Sequence, residues 1–523
     1  MLGKNEHIQK YLEFYVLRAK KIPKIHSGEK ALFELHMDYP THIAYGEIAL
    51  NLKNKGFKLV GYKPVQDLNY KGLLSLFLQR YLRIDKGLNW PFHIFRGLGI
   101  NSFVIPITKV WRSPFASRAW ESAKFKTKDE VLNFTISEVL IGDLFYDWHM
   151  NKRRLGTVEI ESKNFKRDFI KFLKTFDFWE SYFRKNKIQT VLVSHTCYGQ
   201  GLLTRIAIKY GVQSLQITGD RMYRMSQNQL HADSEYEFYD SKEAKLFEYQ
   251  ISLERSRAHI AKLKLGNMEV DASHSQVSGY IGRNNINVVE KSSRQKILIV
   301  AHCFSDSPNG FGAQLFPDYF EWLLEVLKAS ENINADWYIR PHPGFVHNDK
   351  KIFNNLISRY PNVRNVGLDN SIPALIKQGI NSVLTSHGTV GFEAAIEGAF
   401  VVGASQHAFY KNYNFVLIPK SRTEWRKTIA SLSTPKHNSF DTNEVYHYYD
   451  IHHVRSETSW LLREHYAEFL EEVGGLRKQF TNTQVFTTWL KLASSENDLE
   501  TNQKLLRNFL ESENYFFKYG SKM

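Results

Sequence analysis

One local pattern recurs along the chain and constrains its fold more than any other feature. A short apolar segment is followed by a polar loop, an amphipathic segment closed by glycine, and a second apolar segment. The first copy runs from a predicted strand at 31–37 through a helix at 43–54 and Gly56 to a strand at 57–62, and another copy starts at 190–194. Each copy is a βαβ unit, whose crossover helix requires a parallel sheet. We therefore predict an α/β domain over residues 1–275.

The clearest alternation of strands and helices follows a polar segment at 276–295, which we interpret as a linker. Strands are predicted at 296–301, 336–339, 363–366, 382–385 and 400–403, and helices at 314–329, 349–359, 371–377 and 391–397. This alternation predicts a second doubly wound domain over 296–425. A helical C-terminal region, 426–523, follows it. The predicted fold class is α/β, with two Rossmann-like doubly wound domains and a helical C-terminal tail.

The amino-acid composition indicates where in the cell the protein acts and which partners it binds. The 523 residues include 69 Lys and Arg against 54 Asp and Glu, a formal net charge of +15. This balance favours polyanionic partners, and because the excess is spread along the chain we expect an anionic membrane surface or phosphorylated substrates, and no nucleic acid. Two cysteines cannot build a disulfide framework. The longest apolar stretch, 97–110, is too short to span a bilayer. We predict a cytoplasmic protein that acts at the inner face of the membrane.

Polar groups follow the predicted strands of the second domain at the points where those strands end. In an open parallel sheet, ligands bind at the carboxyl ends of the strands. Every strand but the short third is followed there by side chains suited to phosphate, base or ribose: His302 and Ser305, Arg340 and His342, Ser386, His387, Gly388 and Thr389, and Ser405, Gln406 and His407. This repetition predicts a nucleotide-binding site.

The turn of Ser386, His387, Gly388 and Thr389 leads directly into a predicted helix. Small hydroxyls and a glycine at a helix N-terminus present backbone N–H groups, and the positive end of the helix dipole, to an anion. Glu393, one turn later, can accept hydrogen bonds from a ribose. The alternative is an ordinary Ser/Thr helix cap, which leaves His387 unexplained. The turn therefore favours phosphate binding.

Arg340 and His342 flank Pro341, and Pro343 follows them. Prolines on both sides of a residue fix its backbone and prevent a helix from starting there. An imidazole held in this way can donate to a phosphate or protonate a leaving phosphate. The alternative is a structural histidine, but the two prolines and the arginine favour a functional one.

Together these motifs resemble a known family. The matching segments are 340–343 (RPHP), 386–395 (SHGTVGFEAA), Gly398 and Phe409-Tyr410. They are similar to the capsule-polysaccharide synthesis transferases, a group that includes Kdo transferases and has sialyl-, polysialyl- and polyol-phosphate transferases as wider relatives. The resemblance covers about residues 296–415. It implies a GT-B fold, in which two Rossmann-like domains face a cleft.

The resemblance also implies roles for individual residues. In the wider family the histidine of the His-Pro motif and the Ser/Thr turn hold the phosphate of a cytidine nucleotide. Carried over, His342 and Ser386 with Thr389 would bind the donor phosphate, and Glu393 would lie near the ribose. His387 stands where many relatives have a second small hydroxyl. UDP- and GDP-sugar enzymes share the fold, so the donor base stays open with a preference for cytidine.

The first domain is expected to supply the catalytic base or nucleophile. An inverting transferase needs a carboxylate or histidine as base, and a retaining one can use a carboxylate nucleophile. By the strand-end rule we select Asp38 and Asp220, with His195 in support; His36 and the acidic segment 142–147 are further candidates. The alternative for each residue is that it caps a helix or braces the domain.

The sequence thus predicts a glycosyltransferase, and neither a metal nor a cofactor is expected. The enzyme would move a sugar from a nucleotide-sugar donor, with a CMP-linked, Kdo-type sugar preferred, to a glycan or lipid-linked acceptor. The product would be a bacterial surface polysaccharide such as capsule or the O-antigen of lipopolysaccharide. A polyol-phosphate transferase, a sugar-nucleotide epimerase and a non-catalytic assembly component on the same fold remain alternatives. The sequence contains no P-loop, HExxH or GxSxG motif.

Overall fold

A computed structural model of the chain describes residues 5–23, 25, 27–36, 38–65, 74, 92–107, 113–218, 221–231, 249–264, 286–312, 314–405, 413–436, 439–450, 460–462, 465–475, 478–493 and 495–517. The chain divides into two compact units. Unit 1 comprises Met1–Phe145, Ile160–Ala232 and Glu457–Met523, and unit 2 comprises Tyr146–Glu159 and Asp233–Ser456.

The secondary structure alternates as the sequence predicts. The strands are β1 (Lys30–Glu34), β2 (Lys58–Tyr62), β3 (Ser102–Val104), β4 (Thr135–Ile136), β5 (Val139–Leu140), β6 (Ile188–Val193), β7 (Gln213–Ile217), β8 (Met222–Met225), β9 (Lys296–Val300), β10 (Asp336–Arg340), β11 (Val363–Asn365), β12 (Ser382–Thr385) and β13 (Phe400–Gly403). The helices are α1 (Glu6–Lys20), α2 (Tyr39–Asn54), α3 (Phe92–Gly97), α4 (Pro114–Ala123), α5 (Lys128–Leu132), α6 (Gly142–Arg153), α7 (Lys163–Lys185), α8 (Gly201–Lys209), α9 (Tyr249–Lys264), α10 (Tyr319–Ser330), α11 (His347–Ile357), α12 (Ile372–Lys377), α13 (Val390–Ile396), α14 (Arg422–Ala430), α15 (Thr442–Tyr449), α16 (Tyr466–Val473), α17 (Gln484–Ala493) and α18 (Glu496–Glu511).

Each unit is built on one doubly wound sheet. The strand order in unit 1 is β3-β2-β1-β6-β7-β8, parallel except for the antiparallel pair β7–β8, and the order in unit 2 is β11-β10-β9-β12-β13, parallel throughout. In each sheet the chain first adds strands on one side of the first strand and then on the other. The resulting switch points lie between β1 and β6 and between β9 and β12. The predicted α/β class with two doubly wound sheets is confirmed.

The central strand of unit 2 shows why its sheet needs helices on both faces. All five residues of β9 are buried. Ile297 and Ile299 pack into one apolar cluster, and Leu298 and Val300 pack into another on the opposite face. A continuous apolar strand of this kind is stable only when both faces of the sheet are covered.

The last described helices complete the core of unit 1. Tyr11 of α1 packs against the rings of Phe486 and Trp489 of α17, with centroids 5.1 and 5.8 Å apart. Gln503 of α18 donates to the carbonyl of Glu47 on α2 at 3.3 Å. The region predicted as one helical tail, 426–523, is therefore divided: its first part belongs to unit 2 and its last part to unit 1.

Other predicted boundaries also differ from the structure. The helix predicted at 314–329 starts only at Tyr319, because the carboxylate of Asp318 accepts the Glu321 N–H at 2.9 Å and caps it there. Residues 146–159, placed in the first domain from the sequence, belong to unit 2. The linker predicted at 276–295 lies outside the described residues up to position 285.

None of the helices in the described ranges combines the length and the apolar character needed to cross a bilayer.

Candidate functional site

Three predicted histidines meet at the switch point of the unit 2 sheet. His302 follows β9, His342 follows β10 and His387 follows β12. The ring of His302 lies between the other two, with its centroid 5.2 Å from that of His342 and 4.8 Å from that of His387. The strand order therefore brings the strand-end residues together, at the place where open α/β sheets bind ligands.

The structure fixes the tautomer of His342. Its Nδ1 atom accepts the backbone N–H of Gly344 at 3.0 Å and lies 3.0 Å from the Sγ atom of Cys303. Burial raises the pKa of Cys303 to about 12, with help from Asp349, so the thiol keeps its proton and donates it to Nδ1. Because Nδ1 accepts both hydrogen bonds, the ring proton is on Nε2.

The ring of His342 is also uncharged at neutral pH. Burial lowers its pKa to about 3, and His302 and Arg340 act in the same direction. A neutral imidazole with its proton on Nε2 is a hydrogen-bond donor at that atom. The geometry thus favours donation to a bound phosphate over transfer of a proton from an imidazolium.

Arg340 supplies a cation beside this histidine. Its side chain is 3% exposed, and its Nε and Nη2 atoms find no hydrogen-bond partner among the residues that the structure describes. Burial lowers the pKa of the guanidinium, and the opposite effect of Glu393 is smaller. A buried cation with unused donors is costly, and an anion bound there would remove that cost.

The turn from Ser386 to Thr389 does not form an ordinary Ser/Thr helix cap, which was the alternative to phosphate binding. Thr389 precedes α13, but its hydroxyl donates to the Oε1 atom of Glu393 at 3.1 Å instead of accepting a backbone N–H. Ser386 donates to the Oε1 atom of Gln314 at 3.4 Å, and the Gly388 N–H donates to the hydroxyl of Thr385 at 3.3 Å. The turn is held by side chains that lie around it.

The remaining two predicted nucleotide residues lie in the interior. His387 is 6% exposed and packs against Phe311, with ring centroids 5.1 Å apart. Ser305 is 3% exposed, and its carbonyl accepts a hydrogen bond from the side-chain amide of Asn151 at 3.3 Å. Both residues therefore contribute buried packing at the carboxyl ends of the unit 2 strands.

A second polar cluster occupies the switch point of the unit 1 sheet. Glu34, the last residue of β1, is 1% exposed, and its Oε2 atom accepts both the backbone N–H and the hydroxyl of Ser194 at 2.8 Å. The hydroxyl of Ser194 also lies 3.0 Å from the Nδ1 atom of His195. His195 was predicted from the sequence, but Glu34 was not, although a carboxylate at the end of an apolar strand is a signal visible in the sequence.

Asp38 lies near this cluster and has local partners. It is 7% exposed, and the hydroxyl of Thr41 donates to its Oδ2 atom. Its backbone N–H donates to the Nδ1 atom of His36 at 3.3 Å, and burial, with His195 and Lys63, lowers the pKa of His36 to about 3. The predicted base Asp220 lies outside the described residues.

The acidic segment at 142–147 has structural partners. The two terminal guanidinium nitrogens of Arg205, Nη1 and Nη2, donate to the carboxylate of Asp143 in unit 1. In unit 2, Asp147 accepts the backbone N–H of Asn309 at 3.0 Å and its side-chain amide at 2.9 Å. These carboxylates hold helix α6 and the loop after β9 in place.

No protein-family model and no curated protein matches the sequence. Among solved structures, the chain is similar to KpsC of Thermosulfurimonas dismutans, a β-Kdo 2,4 transferase, with 13% identity over 50% of this chain and 79% of that one and a TM-score of 0.30. It is also similar to a glycosyltransferase of Rickettsia africae ESF-5, with 10% identity over 93% of this chain and 100% of that one and a TM-score of 0.23.

A third similar structure is the UDP-GlcNAc 2-epimerase of Neisseria meningitidis, with 11% identity over 82% of this chain and 98% of that one and a TM-score of 0.20. A Kdo transferase and a second glycosyltransferase are thus among the structures that this chain resembles. With TM-scores of 0.20 to 0.30, these similarities carry no argument about its activity.

Proposed function

We propose that the protein is a glycosyltransferase that takes a sugar from a nucleotide-sugar donor bound at the switch point of unit 2. The preferred donor is CMP-linked and of the Kdo type. The acceptor is a glycan or lipid-linked chain of a bacterial surface polysaccharide, either capsule or the O-antigen of lipopolysaccharide. Neither a metal nor a further cofactor has a role in this proposal.

The observation that carries the proposal is the buried guanidinium of Arg340. Two of its nitrogen atoms have no hydrogen-bond partner among the described residues, although the side chain is 3% exposed. A phosphate oxygen is a strong acceptor for these donors and is well matched to the planar geometry of a guanidinium. The donor's phosphate therefore neutralises the buried charge.

His342 adds a neutral donor next to that charge. Its Nε2 proton is fixed by the two hydrogen bonds that end on Nδ1. Negative charge builds up on the phosphate as the bond to the sugar breaks, and fixed donors stabilise it without having to reorient. In this proposal Arg340 and His342 stabilise the leaving nucleotide, and Ser386 and Thr389 position it.

The net charge of +15 supports the proposed setting. A cationic protein is attracted to the anionic cytoplasmic leaflet of a membrane and to acidic glycans. We place the protein in the cytoplasm, at the inner face of the membrane, where a lipid-linked acceptor would be available.

Nucleotide binding tests the proposal directly. The purified protein would be melted with CMP, CDP, UDP, GDP or ADP, each alone. A ligand at about 100 times its Kd stabilises the native state by roughly 2.7 kcal/mol, which is a measurable shift in Tm. We expect CMP to give the largest shift, and we expect the same CMP concentration to give a smaller shift in Arg340→Gln.

Each other outcome has a defined meaning. A response to CDP would favour the polyol-phosphate transferase, while UDP or GDP would keep a nucleotide-sugar enzyme and refute the cytidine donor. Conversion of a free UDP-sugar without an acceptor would identify the epimerase. If none of the five nucleotides shifts Tm, the donor site is refuted and a non-catalytic component is favoured.

A further inference from the structure

The C-terminal end of α1 exposes apolar side chains to solvent. Earlier along the helix, Ile8, Tyr11 and Tyr15 are buried in the core of unit 1. The next two residues, Val16 and Leu17, are exposed, Leu17 by 62%. The first part of α1 is therefore held by the core, whereas its end presents an apolar surface.

Exposed apolar side chains of unit 1 are concentrated around this helix end. Among the described residues of unit 1, five large apolar side chains are exposed: Val16, Leu17, Ile25, Leu74 and Phe480. Three of them lie within residues 16–25. Single exposed apolar residues are ordinary on a protein surface, but a group of them marks an interaction site.

Lysines accompany these apolar side chains. Lys20 and Lys21 follow Leu17 by three and four residues, a spacing that places all three on one side of the helix. Arg18 differs from them because its terminal nitrogens donate to both carboxylate oxygens of Glu47, at 2.5 and 2.9 Å. Lys20 and Lys21 are exposed and have no acidic partner among the described residues. Their charges are therefore available to an external anion.

The positive charge continues around Ile25. Its side chain lies over Gly56, where an added Cβ atom would come within 2.9 Å of the Ile25 Cγ2 atom. Lys58 begins β2 two residues after Gly56 and is in register with Lys30, which begins β1. Burial lowers the pKa of Lys30, and the charge of Lys58 adds to this effect. Residues 16–30 contain five Lys or Arg against one Glu, so this edge of unit 1 has an excess of positive charge.

Apolar side chains flanked by lysines match the interface of an anionic bilayer. The apolar groups enter the boundary between headgroups and acyl chains, and the lysine stems extend so that the ammonium groups reach the lipid phosphates. We propose that the α1-end patch, formed by Val16, Leu17, Lys20, Lys21 and Ile25, docks unit 1 on an anionic lipid surface. The proposal rests on the membrane setting of the proposed function and names the surface that makes the contact.

Vesicle binding by the full-length protein tests the charges of the patch. We expect the protein to co-sediment with vesicles of phosphatidylglycerol and phosphatidylcholine (about 3:7) and far less with phosphatidylcholine alone. Each lysine near an anionic surface contributes about fivefold in affinity, so Lys20→Ala with Lys21→Ala should weaken binding about 30-fold. Lys163→Ala with Lys166→Ala is the matched control, because both lysines are exposed on α7, which has no exposed large apolar side chain among its described residues. An equal loss in both double variants would show that net charge alone matters and would refute the patch.

A second test asks whether Leu17 enters the lipid. Leu17→Gln should weaken vesicle binding about 5- to 30-fold, because most of this side chain is exposed before docking. In a Cys197→Ser background, a polarity-sensitive dye on Leu17→Cys should shift its emission to the blue with the anionic vesicles. The same dye on Lys163→Cys should not shift. Cys303 stays unlabelled at neutral pH, because burial raises its pKa to about 12.

The remaining outcomes are equally decisive. Vesicle binding without a blue shift at position 17 would mean that another surface makes the contact. Light scattering that finds a dimer, converted to a monomer by Leu17→Gln, would show that a second copy of the chain covers the patch and would overturn the proposal. The nucleotide melts decide the transferase separately: failure of those melts leaves the vesicle results valid, and failure to bind vesicles leaves the donor site standing.

Discussion

Replacing Arg340 by methionine should stabilise the unliganded protein and weaken its binding of nucleotides. The guanidinium is buried with two nitrogen atoms that lack partners among the described residues, and burial outweighs the attraction of Glu393 in setting its pKa. An unsatisfied buried donor costs about 1–3 kcal/mol, more when it is charged. Methionine has a similar length and no donors, so the Arg340→Met protein should gain about 1–3 kcal/mol.

The gain is large enough to measure. For a domain of the size of unit 2, each kcal/mol moves Tm by roughly 2–4 °C, so the transition that reports on unit 2 should rise by about 2–12 °C. Hydrogen bonds to a charged group contribute about 1.5–3 kcal/mol, so the Kd of the bound nucleotide should rise roughly 10- to 150-fold. Scanning calorimetry without ligand and titration calorimetry with CMP would measure the two effects.

A second arginine of unit 2 provides a matched control. The Nε and Nη2 atoms of Arg255, the same two atoms that are unused in Arg340, bind the carboxylate of Asp450 at 2.6 and 2.7 Å. Arg255→Met would leave Asp450, which is 0% exposed, without this partner and should destabilise the protein. We expect a loss of about 2 kcal/mol, below the 3–5 kcal/mol of a fully buried pair because the Arg255 side chain is 43% exposed. If Arg340→Met lowers Tm as Arg255→Met does, the guanidinium of Arg340 is satisfied within the protein and the anion argument fails.

Two further predictions concern buried titratable groups. In a Cys197→Ser background, iodoacetamide should alkylate Cys303 roughly 10³-fold more slowly at pH 8 than it alkylates a free thiol, because burial raises the pKa of Cys303 to about 12 and leaves very little thiolate. Alkylation at the rate of a small thiol would contradict the burial of the thiol. Burial lowers the pKa of His42 from 6.5 to about 3, so the unfolded chain binds a proton there that the folded chain does not, and stability should fall as the pH drops below 6.5. At pH 5 this difference in proton binding at His42 lowers the free energy of unfolding by about 2 kcal/mol. Urea unfolding at pH 7 and pH 5 should therefore show a loss of stability on acidification that is smaller by that amount in His42→Gln than in the unaltered protein. An equal pH dependence in both proteins would contradict this prediction.

The sequence predicted the sheets and the residues at the strand ends because both depend on local patterns. Apolar runs such as β9 and the proline-flanked His342 are visible within a few residues. The partners of those residues are not visible, because they depend on strand order. Cys303 meets His342 only because β9 and β10 are neighbours, and Glu34 meets Ser194 across 160 positions because β6 joins the sheet beside β1.

The division of the chain was harder to predict for a similar reason. The helices after residue 457 have ordinary amphipathic patterns, and such patterns do not show which other part of the chain a helix packs against. Their partner is α1, almost at the other end of the described chain, where Tyr11 meets Trp489. Likewise, residues 146–159 belong to unit 2 because Tyr146 and Thr157 both donate to Asp318 at 2.6 Å.

Because the last part of the chain belongs to unit 1, the synthesis of unit 2 is complete before that of unit 1. A ribosome makes residues 233–456 before residues 457–523, so every segment of unit 2 has been made while unit 1 still lacks α16–α18. Until then, the apolar faces of α1 and α2 have no cover from α17 and α18, and a nascent chain exposes them to chaperones and to other chains. Unit 2 is thus ready to fold first, although most of unit 1 precedes it in the sequence.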